Sequence, residues 1–196
     1  IPNFAYHSSI IVDIKNQAQN MKSTFKHTAI ALILTSFAFI GCTKEETPTI
    51  SDTVFYQDIA YALASCYSDI YNQELAGKPV GTKNITTTGP MGGTVVITGT
   101  TGQDATHDIT TTDLVYTMTD VKYNTTYAFL TITGAATHKG SFSSTYTSVN
   151  HLASNLRVNG YVKRNGITRN IDQSGEVNIN RTSKFNATVY GFTVSW

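Results

Sequence analysis

The sequence predicts a mainly β, α+β fold: one N-terminal amphipathic helix packed on a large, twisted antiparallel β-meander. Three observations carry this. Apolar side chains recur at helical spacing from about residue 52 to 76, the period falls to two from Val80 onward, and no helical pattern separates the later runs. Successive strands without helices between them pair as antiparallel neighbours, not as βαβ units. A closed β-barrel or a two-layer sandwich is the alternative, because closure removes exposed strand edges.

The helix is read first. Ser51 or Asp52 can cap it, and Val54, Phe55, Ile59, Leu63, Cys66, Ile70 and Leu75 form the apolar stripe, with Ala60 and Ala62 beside it. Asp58, Ser65, Asp69, Gln73 and Glu74 mark the polar side, and Gly77 followed by Pro79 ends the helix. Such a stripe must bury against something. The sheet that follows is the surface the chain offers.

The strands come in order from about residue 85 to 196. Gly92–Thr100 is β-branched and punctuated by glycine. Thr112–Val121 alternates Leu114, Tyr116 and Met118 with Val115, Thr117 and Thr119, and Tyr127–Thr133 follows. Ser141–Val149 sets Phe142 and Tyr146 on one side; Leu156–Lys163 alternates Leu156, Val158 and Gly160 with Arg157, Asn159 and Tyr161. Asn165-Gly166 is a type I′ hairpin pair. Gly166–Ile171 and Gly175–Asn180 run on from it, and Phe185–Trp196 reads as one last strand. Many of these runs carry Thr, Ser and Asn on alternate positions, as a sheet with one solvated face does.

Upstream of the helix, Met21–Cys42 has the form of an export signal. Lys22 and Lys26 supply the positive region, and Ala29–Ile40 is an apolar run of signal-peptide length, too short to span a bilayer. It ends in Phe39-Ile40-Gly41-Cys42, which resembles a lipobox. That resemblance implies a bacterial lipoprotein: cleavage between Gly41 and Cys42, diacylglycerol on the Cys42 thiol, and acylation of the new amino terminus. Several acyl chains, at about 0.8 kcal/mol per buried methylene, hold a protein stably on a membrane. The organisation expected is a non-native upstream extension at 1–20, a signal at 21–41, an anchor spacer at 42–51 and a single helix-plus-sheet domain at 52–196.

Thr43-Lys44-Glu45-Glu46 resembles a Bacteroidota surface-export tag, and Asp52-Thr53-Val54 resembles the O-glycosylation motif of that phylum, with Thr53 as acceptor. The helix, the Gly-Gly-Thr-Val-Val-Ile-Thr-Gly-Thr run and the later Arg-Val-Asn-Gly-Tyr-Val run resemble small Bacteroidota lipoproteins of unknown function. The resemblance implies an outer-membrane lipoprotein, facing the cell surface or the periplasm. It brings no functional residues with it.

From Cys42 onward 11 basic side chains stand against 12 acidic ones, a net charge of −1, which is not the basic footprint of a nucleic-acid binder. With Cys42 assigned to lipid, Cys66 is alone and reads as a small core hydrophobe. No phosphate loop, dinucleotide fingerprint, nucleophile elbow or paired Cys-X-X-Cys occurs. The nearest approach to a metal or catalytic constellation is Asp104, His107 and Asp108, with Asp113 nearby, in a stretch that reads as a hairpin loop. His138-Lys139-Gly140 and His151 read as turn residues. Tyr123, Tyr127, Tyr146, Tyr161, Tyr190 and Trp196 can form a sugar- or protein-binding surface, or pack as core and cross-strand pairs.

The expected function is therefore a lipid-anchored envelope protein, non-catalytic and free of cofactors, whose domain binds a glycan or a protein. A lipocalin-like carrier of a small apolar ligand is the first alternative and requires a closed barrel. A hydrolase or metal-dependent enzyme is the second and requires the Asp104 cluster to converge in a cleft.

Overall fold

Ser51 supplies the start of the helix. In the computed structural model, which describes residues 48–104, 106, 108–143, 147–182 and 184–196, its backbone is extended and its hydroxyl accepts from the Val54 amide at 3.4 Å. Helix α1 then runs Asp52–Glu74, about 34 Å at 1.5 Å per residue. The packed unit begins at Pro48. Ile50 is already buried in the core, and its carbonyl accepts from Arg169 at 3.1 Å, so the domain starts a few residues before 52.

Eight strands follow: β1 Gly81–Thr88, β2 Thr94–Asp104, β3 Ile109–Asn124, β4 Ala128–Phe142, β5 Thr147–Arg164, β6 Ile167–Arg181, β7 Phe185–Val189 and β8 Phe192–Ser195. They pair in sequence order, every pair antiparallel, in a single sheet. The meander is thus as expected. The barrel and sandwich alternatives are set aside: there is one sheet, and β1 and β8 are its two edges.

The sheet is curled around the helix. Each of β3 to β8 packs against α1, and the buried residues of α1 reach beyond a narrow stripe to include Tyr56, Ala60, Ala62 and Tyr67 besides Phe55, Ile59, Leu63, Cys66 and Ile70. Burying each large aliphatic of this set contributes about 1.5–3 kcal/mol. The side of the helix bearing Gln57, Tyr61, Ala64, Ser65, Ser68 and Asn72 borders open hollows instead.

Curling needs departures from a regular ladder. The register shifts where β3 carries an extra residue between Met118 and Val121, and where β5 carries one between Ala153 and Leu156, which shifts its pairing with both β4 and β6. These bulges form one band across the middle strands, and bulges bend and twist the strand that carries them. Gly160 adds a close approach: its φ is +147°, and a Cβ there would lie 2.0 Å from the Phe129 carbonyl oxygen.

Four strand expectations are corrected. Phe185–Trp196 is two strands, because Tyr190 (φ 51°) and Gly191 (φ 86°) turn the chain between Val189 and Phe192. Gly166–Ile171 and Gly175–Asn180 are parts of one strand, β6, with Gly175 lying under the Tyr190 ring. Ser141–Val149 is not one strand: β4 ends at Phe142 and β5 begins at Thr147. His138 and His151 are not in turns but inside β4 and β5, directly opposite each other.

Candidate functional site

Of the hollows that border the open side of α1, two gather distinctive side chains, and a third, lined by Ser65, Asp69, Tyr123 and Arg181 among others, lies between them in the helix sequence. The first lies by its N-terminal half. Asp58 on α1 is buried, and Arg164, the last residue of β5, grips it with two parallel hydrogen bonds: Nε donates to Oδ2 and Nη2 to Oδ1, both at 2.6 Å. The same guanidinium lies over the Tyr127 ring, 3.8 Å from its centroid. The Asn165-Gly166 turn (φ 51° and 80°) follows at once and fixes where Arg164 leaves the sheet. Tyr127 is presented by the β3–β4 connection. There the Thr125 hydroxyl accepts from the amides of Tyr127 and Ala128, and the Tyr127 carbonyl accepts from the Lys163 amide.

Tyr61 on α1 and Trp196 after β8 complete this place. The hollow measures about 350 Å³ and is lined by Gln57, Asp58, Tyr61, Thr125, Thr126, Tyr127, Arg164 and Trp196. Its aromatic members are exposed to an unusual degree: Tyr61 53%, Tyr127 41% and Trp196 42%. One Trp196 face stacks on Phe185 at 4.0 Å. The result is a set of rigid apolar plates beside amides, hydroxyls and one fixed ion pair.

The second hollow lies by the C-terminal half of α1. His138 and His151 are paired across β4 and β5, both buried, with His138 Nδ1 2.9 Å from His151 Nε2. Tyr67 stacks on His151 at 4.6 Å, Tyr71 on His138 at 5.5 Å, and Tyr116 lies 5.3 Å from His138. Burial lowers the His138 pKa from 6.5 to about 4. It also holds His151 well below 6.5, with the His138 and Arg181 charges acting in the same direction. The pair is therefore neutral at physiological pH. Tyr67 Oη, Tyr116 Oη, His138 Nε2 and His151 Nδ1 are buried without a hydrogen-bond partner among the described residues. The adjoining pocket, about 230 Å³, is lined by Ser68, Tyr71, Asn72, Phe142, Arg181 and both histidines, among others.

The residues singled out in the sequence separate into those brought together and those not. Tyr127 and Trp196 meet at the first hollow. Tyr123 is buried and donates to Asp69 at 2.6 Å; Tyr190 donates to the Leu156 carbonyl at 2.9 Å; Tyr161 stacks on Phe129 at 4.8 Å. Tyr146 lies outside the described residues, as does Cys42. Asp104 and Asp108 flank the β2–β3 connection and are exposed, the Asp104 carboxylate accepting from the Thr106 amide at 2.9 Å. His107 lies outside the described residues, and among those described no group of three metal-ligating side chains gathers. Asp113 is exposed and paired with Lys139 at 3.0 Å. Thr53 is exposed in the first helical turn. Cys66 is fully buried, its thiol pushed up to about 12 by burial and then by Asp69, which fits a core hydrophobe and not a nucleophile.

Sequence reasoning missed Tyr61, Arg164 and the histidine pair. Tyr61 breaks the polar side of the helix pattern and could have been noticed there. Gly140, beside His138, reads as a turn signal. In the structure it lets two strands approach, since a Cβ would lie 2.1 Å from the Ser148 carbonyl oxygen. A scan against protein-family models finds no match, and no curated protein or solved structure is found to be similar.

Proposed function

We propose that this protein is a lipid-anchored component of the bacterial envelope, facing the cell surface or the periplasm, whose domain is a non-catalytic module that binds glycans. The observation that carries the reading is the first hollow. Sugar rings offer C–H faces to aromatic plates and hydroxyls to polar rims, and Tyr61, Tyr127 and Trp196 surrounded by Gln57, Thr125, Thr126 and the Asp58–Arg164 pair supply both. The anchor rests on the lipobox at Cys42.

Trp196 is the chain's single tryptophan, so its fluorescence reports on this hollow and on the adjoining one it also lines with Tyr61, Asp69 and Phe185. Titration with a panel of cello-, xylo-, manno- and chito-oligosaccharides is expected to give a saturable change with at least one class. Tyr127→Ala should weaken that binding about tenfold, the scale of a binding anchor removed. No saturable change across the panel removes the glycan reading. The anchor is checked separately. Cells fed a labelled fatty acid should label the wild-type chain and not Cys42→Ala; labelling of the mutant rules the anchor out.

A further inference from the structure

The second hollow carries a different inference. Its described lining includes one charged side chain, Arg181, whose guanidinium makes no ion pair among the described residues. No carboxylate lines the pocket. An unpaired cation over a pocket without acidic groups favours an anion. Tyr71 and Phe142 stand edge to face at 4.9 Å, and Tyr71 lies parallel to the His138 ring, with 5° between the planes. The two rings touch, so together they form one apolar corner of the pocket, against which a planar body can lie.

The histidine pair adds a second requirement. One ring must donate to the other across the 2.9 Å contact. If His151 Nε2 donates, His138 Nε2 carries a free N–H and His151 Nδ1 a free lone pair; if His138 Nδ1 donates, the two ends exchange roles. Either arrangement leaves one buried donor and one buried acceptor unsatisfied, and both ring nitrogens belong to residues lining the pocket. Buried groups left in this state cost about 1–3 kcal/mol each, and a ligand oxygen relieves part of that cost once a ring rotation brings the donor nitrogen, which is fully buried here, to the pocket.

We propose that the pocket formed by Tyr71, Phe142, His138, His151, Ser68 and Arg181 is a binding site for a small planar carboxylate, its anionic end on Arg181 and its body against the apolar corner that Tyr71 and Phe142 form together. This site is distinct from the one assigned to glycans, and neither proposal depends on the other. A single aromatic ring bearing one carboxylate is the simplest member of the class.

The probe is benzoate, with benzyl alcohol as its uncharged counterpart, added to the ¹⁵N-labelled protein at pH 7.5 and followed by the ring signals of His138 and His151. Benzoate is expected to shift both signals saturably. Arg181→Gln, at an exposed position, should weaken binding at least tenfold, with Arg181→Lys recovering part of it. Tyr71→Leu should weaken it too, while Trp196→Phe leaves it unchanged. The proposal is overturned by shifts that fail to saturate, by benzyl alcohol binding as tightly as benzoate, or by undiminished binding in Arg181→Gln. A thermal melt of each variant matched to wild type shows that a lost signal is not lost folding.

Discussion

Unfolding is expected to become easier as the pH falls below about 6.5, with about 3 kcal/mol lost by pH 4 through His138 alone. The sign follows from the direction of the shift. Burial lowers the folded-state pKa of both histidines, so between pH 6.5 and about 4 the unfolded chain binds more protons than the folded one. Stability is therefore complete above the unfolded value and drains as the pH drops through this window. The groups facing the pair are the Tyr67, Tyr71 and Tyr116 rings, which cannot neutralise an imidazolium, and Arg181, which opposes one. Urea midpoints measured from pH 7.5 to 4.5 on wild type and on His138→Leu/His151→Leu check this. The wild-type curve should fall steeply and the double variant's should be flatter. Parallel curves would show that the pair does not set the acid limit.

Arg164→Leu should cost about 2 kcal/mol. Removing one partner of a fully buried ion pair costs about 3–5 kcal/mol, since the other charge stays buried and unpaired. Here Asp58 is 8% exposed but Arg164 is 36% exposed, so water relieves part of the penalty. The loss of the Tyr127 contact adds to the effect. Asp58→Asn/Arg164→Leu removes the stranded charge and should recover part of the stability. The Arg157–Asp172 pair offers the contrast: both side chains are more than half exposed, and Arg157→Ala should leave the urea midpoint in place. Equal losses in the two single variants would contradict the assignment of Asp58 as a buried charge.

What could be read from the chain beforehand follows from which forces are local. Helix α1 was legible because its stripe, its Ser51 cap and its Gly77 stop all lie within one stretch. The Asn165-Gly166 turn was legible because both residues tolerate positive φ. The Tyr190-Gly191 turn was not: a tyrosine at φ 51° is held there by its neighbours, including the hydroxyl bond to Leu156. β1 was faint because Thr fills half of it, with Ile85 as its one large aliphatic. The first hollow was half legible, through Tyr127 and Trp196. Its ion pair joins residues 106 positions apart, which no spacing rule reaches. The histidine pair, 13 positions apart, was hidden because Gly140 signals a turn as readily as a close approach.

The bulge band also sets where this chain can change length. In β3 the helix-facing residues are Leu114, Tyr116 and Met118 before the bulge and Val121 and Tyr123 after it; in β5 they are Val149, His151 and Ala153, then Leu156, Val158 and Val162. Even numbers give way to odd in one strand and odd to even in the other. A one-residue deletion elsewhere in either strand would turn everything beyond it inside out. At the bulge the same deletion merely restores simple alternation, keeping both halves facing the helix while flattening the curl. Single-residue insertions and deletions during divergence should therefore gather in this band, and the depth of the cradle around α1 should vary with them.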